Sequence, residues 1–176
     1  MRLAWGKKVS EIFRQRLVDR CEWLEIDPSY LMACMAFETA ATFSPSIRNA
    51  AGSSAVGLIQ FMPQTAFALG TTDDELSKMS AEAQLDYVLA YFNWTKTKGN
   101  VHTLEDVYMC ILWPRAIGKP LDYVLFDKAD HKRPQLYIQN AGLDYDKNGR
   151  ITKAEATRGV RSFLEVGLLP ENAVEM

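Results

Sequence analysis

The sequence predicts a mainly α-helical single domain, and three observations carry that expectation. Apolar residues recur at helical spacing in most segments, no run alternates as a half-buried strand would, and helix-start residues stand where the periodic stretches begin. The 176 residues suit one compact domain over 1–176, with enough chain to bury a sizeable core. Residues 9–24 read as an amphipathic helix with Ile12, Phe13, Leu17, Cys21 and Leu24 on one side. Asp27-Pro28 then supplies a cap and a first-turn proline for a helix over about 28–40. That helix is apolar nearly all round, through Leu31, Met32, Ala33, Cys34, Met35, Ala36 and Phe37, so it is expected to be central and buried.

From 43 to 54 the pattern dissolves into Pro, Ser, Asn and Gly, which predicts a loop. A short apolar run at 57–61 follows, and Pro63 opens a short helix to about 68. Asp73, Asp74 and Glu75 have the character of an acidic helix start. Ser80 caps a helix expected over 80–97, with Leu85, Val88, Leu89 and Phe92 inward, and another helix is expected over 103–112. Trp113-Pro114 and Gly118-Lys119-Pro120 break the pattern, and 122–134 is expected to be irregular. A last helix is expected over about 152–166.

Composition excludes several function classes. The net charge of −2 gives no basic excess for nucleic acid. No apolar stretch is long enough to span a bilayer, and the first residues, Met1 to Lys8, contain no apolar core of a secretory signal. Cys21, Cys34 and Cys110 are odd in number and widely spaced in apolar stretches, which predicts buried thiols outside any disulfide. His102 and His131 are far apart and near no cysteine cluster, so a zinc site is not expected.

Glu38 is the candidate catalytic residue. Cys34, Met35 and Leu31 lie one and two turns before it, so its carboxylate projects from an apolar face near a helix C-terminus. Desolvation and the helix dipole both raise a carboxyl pKa, as a general acid near neutral pH requires. Glycosidases commonly flank the scissile bond with two carboxyl groups, yet no Asp or Glu occurs between Thr39 and Thr72. A single-carboxylate site would need the substrate to supply its own nucleophile.

Ile26-Asp27-Pro28, Phe37-Glu38-Thr39, Phe43-Ser44-Pro45 and Gly57-Leu58-Ile59-Gln60-Phe61-Met62-Pro63 together resemble the lytic transglycosylase domain of the soluble type, whose fold goose-type lysozyme shares. In the family pattern a Glu-Ser pair closes the apolar helix, and Gly-Leu-Met-Gln follows. Here Thr39 keeps the hydroxyl, and Ile59 replaces Met. The resemblance covers roughly residues 24–68 and implies a lysozyme-like helical domain acting on peptidoglycan glycan strands. It implies that Glu38 protonates the glycosidic oxygen between N-acetylmuramic acid and N-acetylglucosamine. The muramyl 6-hydroxyl then attacks C1 to give a 1,6-anhydro product. It further implies that Thr39, Gly57, Gln60 and Tyr91 line the saccharide cleft. The family's later Ala-Tyr-Asn-Ala-Gly motif is replaced by Met109-Cys110-Ile111-Leu112-Trp113-Pro114, leaving Tyr108 or Tyr137 as candidates for the missing tyrosine. This variant helix is similar to phage-encoded members. It implies a monomeric lysis enzyme or virion component, made in the host cytoplasm and acting on the wall. A muramidase that uses water remains the alternative, and a non-enzymatic calcium-stabilised wall-binding module a third reading.

The segment 144–155 matches an EF-hand calcium loop at every diagnostic position. Asp144, Asp146 and Asn148 supply oxygens at positions 1, 3 and 5, Arg150 a carbonyl at 7, and Glu155 a bidentate carboxylate at 12. Gly149 takes the turn at position 6. Hard oxygen donors favour Ca2+. One such loop, preceded by Pro134 and Gly142 rather than a good helix, predicts one structural ion.

Overall fold

Residues 1–48, 54–95 and 101–176 are described in a computed structural model. The expected loop at 43–54 and the expected helix at 80–97 each run partly outside them. Among the described residues the protein is mainly α-helical. The helices are α1 (Glu11–Leu24), α2 (Pro28–Glu38), α3 (Pro63–Ala68), α4 (Asp73–Lys78), α5 (Ala81–Thr95), α6 (Leu104–Leu112), α7 (Pro134–Asn140) and α8 (Lys153–Gly167). Four short strands accompany them: β1 (Arg2–Leu3), β2 (Val124–Asp127), β3 (Arg150–Thr152) and β4 (Val174–Glu175).

Capping explains most helix boundaries. Ser10 accepts from Phe13 N at 3.2 Å to start α1, Asp27 accepts from Ser29 N at 2.8 Å to start α2, and Ser80 accepts from Ala83 N at 3.2 Å before α5. Thr72 with Glu75 and Thr152 with Glu155 form reciprocal capping boxes at α4 and α8. α2 is the centre of the fold. Its residues Leu31 to Ala36 are fully buried, and it packs against α1, α6, α8 and β1. All three cysteines are buried and none is in a disulfide.

The sequence-based expectation of an irregular 122–134 is corrected by β2, which pairs antiparallel with β3, Phe126 opposite Ile151 and Asp127 opposite Arg150. Val124-Leu125-Phe126 is too short to show a period, and only the distant partner strand makes it a strand. β1 pairs antiparallel with β4 and ties the two ends of the chain together. α7 forms on a Pro134 start although none of its residues is buried.

Two contacts fix α8 against the helices that carry the candidate site. Gly159 lies under the Phe37 ring of α2, where an added Cβ would come within 2.5 Å of Phe37 Cε2. Lys153, 2% exposed, donates to Asp106 Oδ1 of α6 at 2.5 Å, and to the carbonyls of Ala116 and Lys119 at 3.1 and 2.8 Å. A lysine this deep in the protein is tolerable because all three donor positions are used.

Candidate functional site

Glu38 is the last helical residue of α2, half-buried at the end of the central helix. The backbone beyond it is held in an unusual shape. Ala40, Ala41 and Phe43 all have left-handed φ, at 49°, 59° and 51°. Non-glycine residues pay roughly 1 kcal/mol or more each for this, and such strain gathers at functional sites. Thr39 secures the turn. It is fully buried, and its Oγ1 donates to Met35 O at 2.7 Å and accepts from Phe43 N at 3.0 Å. The hydroxyl is therefore spent on the backbone below Glu38, not presented to a ligand.

Tyr108 of α6 faces Glu38, and its hydroxyl is near enough to act on the titration of the Glu38 carboxyl. Burial pushes the Glu38 carboxyl from its ordinary 4.5 up to about 7, and the Tyr108 hydroxyl, which favours the anion, offsets part of that rise. No neighbouring carboxylate is among the causes. Tyr108 itself is 4% exposed, and burial first and the Glu38 charge second drive its phenol well above the usual range, so it serves as a donor. Its ring meets Phe37 edge-on at 5.6 Å, and Phe37 meets Phe163 of α8 in the same way at 5.6 Å. Cys34, one turn before Glu38, is buried and its thiol is pushed up by burial, then by the Glu38 charge.

The Gly57–Gln60 segment is a tight turn closed by hydrogen bonds between Val56 and Phe61 at 3.1 and 2.8 Å. Gly57 has φ 81°, and a Cβ there would fall 2.2 Å from Gln84 Oε1. Gln84 was not singled out from the sequence, because a glutamine in an amphipathic helix gives no sign of where it points. It is fully buried on α5, accepts from Leu58 N at 2.7 Å, and donates to Pro45 O and Leu76 O at 2.9 and 2.8 Å. One amide thus fastens both sides of the loop that follows Glu38. Gln60, with φ 53°, donates to Gly57 O at 3.0 Å and Ile47 O at 3.3 Å.

Gln60 and Tyr91 come together on a small surface depression of about 60 Å3, with Ile59, Phe61 and Ile111. Tyr91 packs edge-on to Phe61 at 6.4 Å and donates its hydroxyl to Cys110 O at 2.5 Å. Ile111 is one turn beyond Tyr108 on α6, so α6 runs from the neighbourhood of Glu38 at the end of α2 to the depression that Gln60 and Tyr91 line. Tyr137 does not join them. Its hydroxyl donates to Asp144 Oδ2 at 2.6 Å, so the expectation that it lines the cleft gives way to a place in the acidic loop.

In that loop one oxygen each of Asp144, Asp146 and Glu155 lie within 4.8 Å of one another, a group that could hold a metal ion. Asp144 is buried, Glu155 half-buried and Asp146 exposed. Asp144 accepts from Asn148 N at 3.2 Å and Gly149 N at 3.0 Å, and Asn148 Oδ1 accepts from Arg150 N at 2.7 Å. Glu155 is divided: Oε2 accepts from Thr152 N and Oγ1 at 2.9 and 2.8 Å, while Oε1 is buried with no hydrogen-bond partner. A buried carboxylate oxygen without a donor is costly, and a cation among all-oxygen donors would relieve it. The residues present therefore fit a hard divalent ion. β3, within this loop, is completed by β2 instead of by a second loop of the same kind.

No protein-family model matches this chain, and no curated protein does so either. No helix among the described residues is long and apolar enough to cross a membrane.

Proposed function

We propose that this protein cleaves the β-1,4 bond between N-acetylmuramic acid and N-acetylglucosamine in peptidoglycan, as a lytic transglycosylase on a lysozyme-like helical domain. The observation that carries the reading is Glu38: a half-buried carboxyl raised to about 7 by burial, with a phenol of another helix beside it. A carboxyl with that pKa keeps its proton near neutrality and can give it to a leaving oxygen. As the C1–O bond breaks, the proton moves to the glycosidic oxygen, and the Tyr108 hydroxyl stabilises the carboxylate left behind. The carboxylate then takes the proton of the muramyl 6-hydroxyl while its oxygen bonds to C1, which closes the anhydro ring and restores Glu38. The causes of the Glu38 shift include no second carboxylate, in keeping with a nucleophile that the substrate supplies.

The acidic loop is proposed to hold one Ca2+ through Asp144, Asp146, Asn148, the Arg150 carbonyl and Glu155. Such an ion would fix the start of α8, not take part in the chemistry. The sequence resemblance, and no feature of the fold, supports a phage lysis enzyme or a particle-borne wall enzyme.

The test is digestion of purified peptidoglycan with mass spectrometry of the products, for the wild type and Glu38→Gln. Anhydro-muramyl ends from the wild type and none from the variant are expected. Reducing ends would replace this reading with a muramidase. Equal clearing by the two proteins would remove Glu38 from the chemistry.

A further inference from the structure

α1 and α5 run side by side in the same direction, Ser10 meeting Glu82 near their starts and Arg16 meeting Asp86 further along. Between their later turns lies a groove of about 350 Å3, lined by Arg20, Trp23 and Leu24 from α1 and by Asp86, Leu89 and Ala90 from α5. Trp23 is 61% exposed. Resting on the proposed action on peptidoglycan, we infer that this groove is a second saccharide site, which holds an N-acetylhexosamine unit of the glycan strand away from Glu38.

The lining chemistry selects that ligand. The indole of Trp23, with Leu24, Leu89 and Ala90, offers an apolar surface for the C–H face of a pyranose ring. Arg20 supplies donors in a planar fork and Asp86 supplies acceptors, so hydroxyl and acetamido groups find both partners. Among the described lining residues, Arg20 and Asp86 offset each other in charge, which suits a neutral polyhydroxylated ligand. The Arg16–Asp86 contact is long, at 3.6 Å, and both side chains are more than half exposed, so Asp86 can turn to a ligand at little cost.

Size points the same way. The groove is at the lower end of small-ligand pockets, about 300–1,000 Å3. It extends over little more than one helical turn, far from the ~800 Å2 face that a stable protein partner covers. The groove and the depression beside Gln60 are both lined from α5. Ala90 precedes Tyr91, which borders the depression beside Gln60, and Tyr91 packs edge-on at 6.2 Å to Trp94, 54% exposed. A polymer bound at both places would be held by two weak contacts whose effects multiply.

The experiment uses the full chain with Glu38→Gln, so that substrate is not consumed, and N-acetylchitohexaose as the probe. The indole N–H resonances of the four tryptophans are followed by heteronuclear NMR during titration. Trp23 is expected to shift with saturation, and Trp23→Ala is expected to weaken this second binding isotherm about tenfold, with Trp23→Phe recovering most of it. Asp86→Ala should weaken it through the polar side alone. A Trp23 signal that stays still while the cleft saturates overturns the inference. So does a concentration-dependent dimer abolished by Trp23→Ala, which would assign the groove to a second copy of the chain. If the wild type releases no products from peptidoglycan but Trp23 still titrates with the oligosaccharide, the catalytic reading fails and the groove stands.

Discussion

The Tyr108 hydroxyl faces the Glu38 carboxyl from a different helix, and it is the one side chain that draws the pKa of Glu38 down while burial draws it up. The balance between them sets the pH at which Glu38 is an acid. Tyr108→Phe removes the downward influence and leaves the packing on Phe37 in place. The alkaline limb of the activity profile is therefore expected to move to higher pH than the wild-type limb near 7. In the proposed reaction the rate falls as well, because the Glu38 anion would lose its donor, by about 10–100-fold for one charge-assisted hydrogen bond. A limb that moved to lower pH would contradict the assignment of Tyr108 as the donor.

The same carboxyl makes stability depend on pH. In the unfolded chain Glu38 ionises near 4.5 and in the folded protein near 7. Between these values the folded state holds the extra proton, so stability is greatest below the window, declines as pH rises through it, and is level above. Glu38→Gln removes this decline and is expected to melt higher than the wild type at pH 8. The upper limit is roughly 3.5 kcal/mol at about 1.4 kcal/mol per pKa unit, and solvent reaching the half-buried group reduces it. Thermal melts of both proteins from pH 4 to 9 measure the difference.

Calcium should stabilise the fold through the loop that starts α8. At a hundredfold excess over its dissociation constant, a ligand bound only to the native state adds about 2.7 kcal/mol. For a chain of this size that corresponds to a Tm shift of roughly 5–10 °C on chelation. Glu155→Gln should abolish most of the response, since Glu155 Oε1 is the buried oxygen without a partner. A melt that is indifferent to both chelator and added Ca2+ would remove the ion from the structure.

Most of the helical framework was legible because its signals are local. Asp27-Pro28, Ser80 and Thr152 each announce a helix within four residues, and the capping contacts are present. The acidic loop was legible for the same reason. What escaped reading depends on contacts between distant parts of the chain. β2 exists only by pairing with β3, and the buried Gln84 matters only because the Gly57 turn is laid against it. Tyr108 and Tyr137 were equal candidates in sequence. Helix packing sends the first to Glu38, and the second is drawn to Asp144, seven residues along the chain.

Gly159 is the clearest case of a residue whose role is invisible until the helices cross. It has ordinary helical surroundings on α8, yet the Phe37 ring occupies the space a side chain would take. Phe37 is adjacent to Glu38 and lies between Tyr108 and Phe163, edge-on to both. Gly159→Ala must move Phe37 or separate α8 from α2, and overpacking of this kind costs about 1–3 kcal/mol. If Phe37 yields, its ring presses on Tyr108 and displaces the hydroxyl from Glu38. The variant is then expected to lose activity beyond its loss in Tm, with its alkaline limb displaced upward in the same sense as Tyr108→Phe. Phe37→Leu in the Gly159→Ala background makes room again and should restore the Tm. Destabilisation with an unchanged pH profile would mean instead that α8 moves away and the Tyr108–Glu38 pair is left intact.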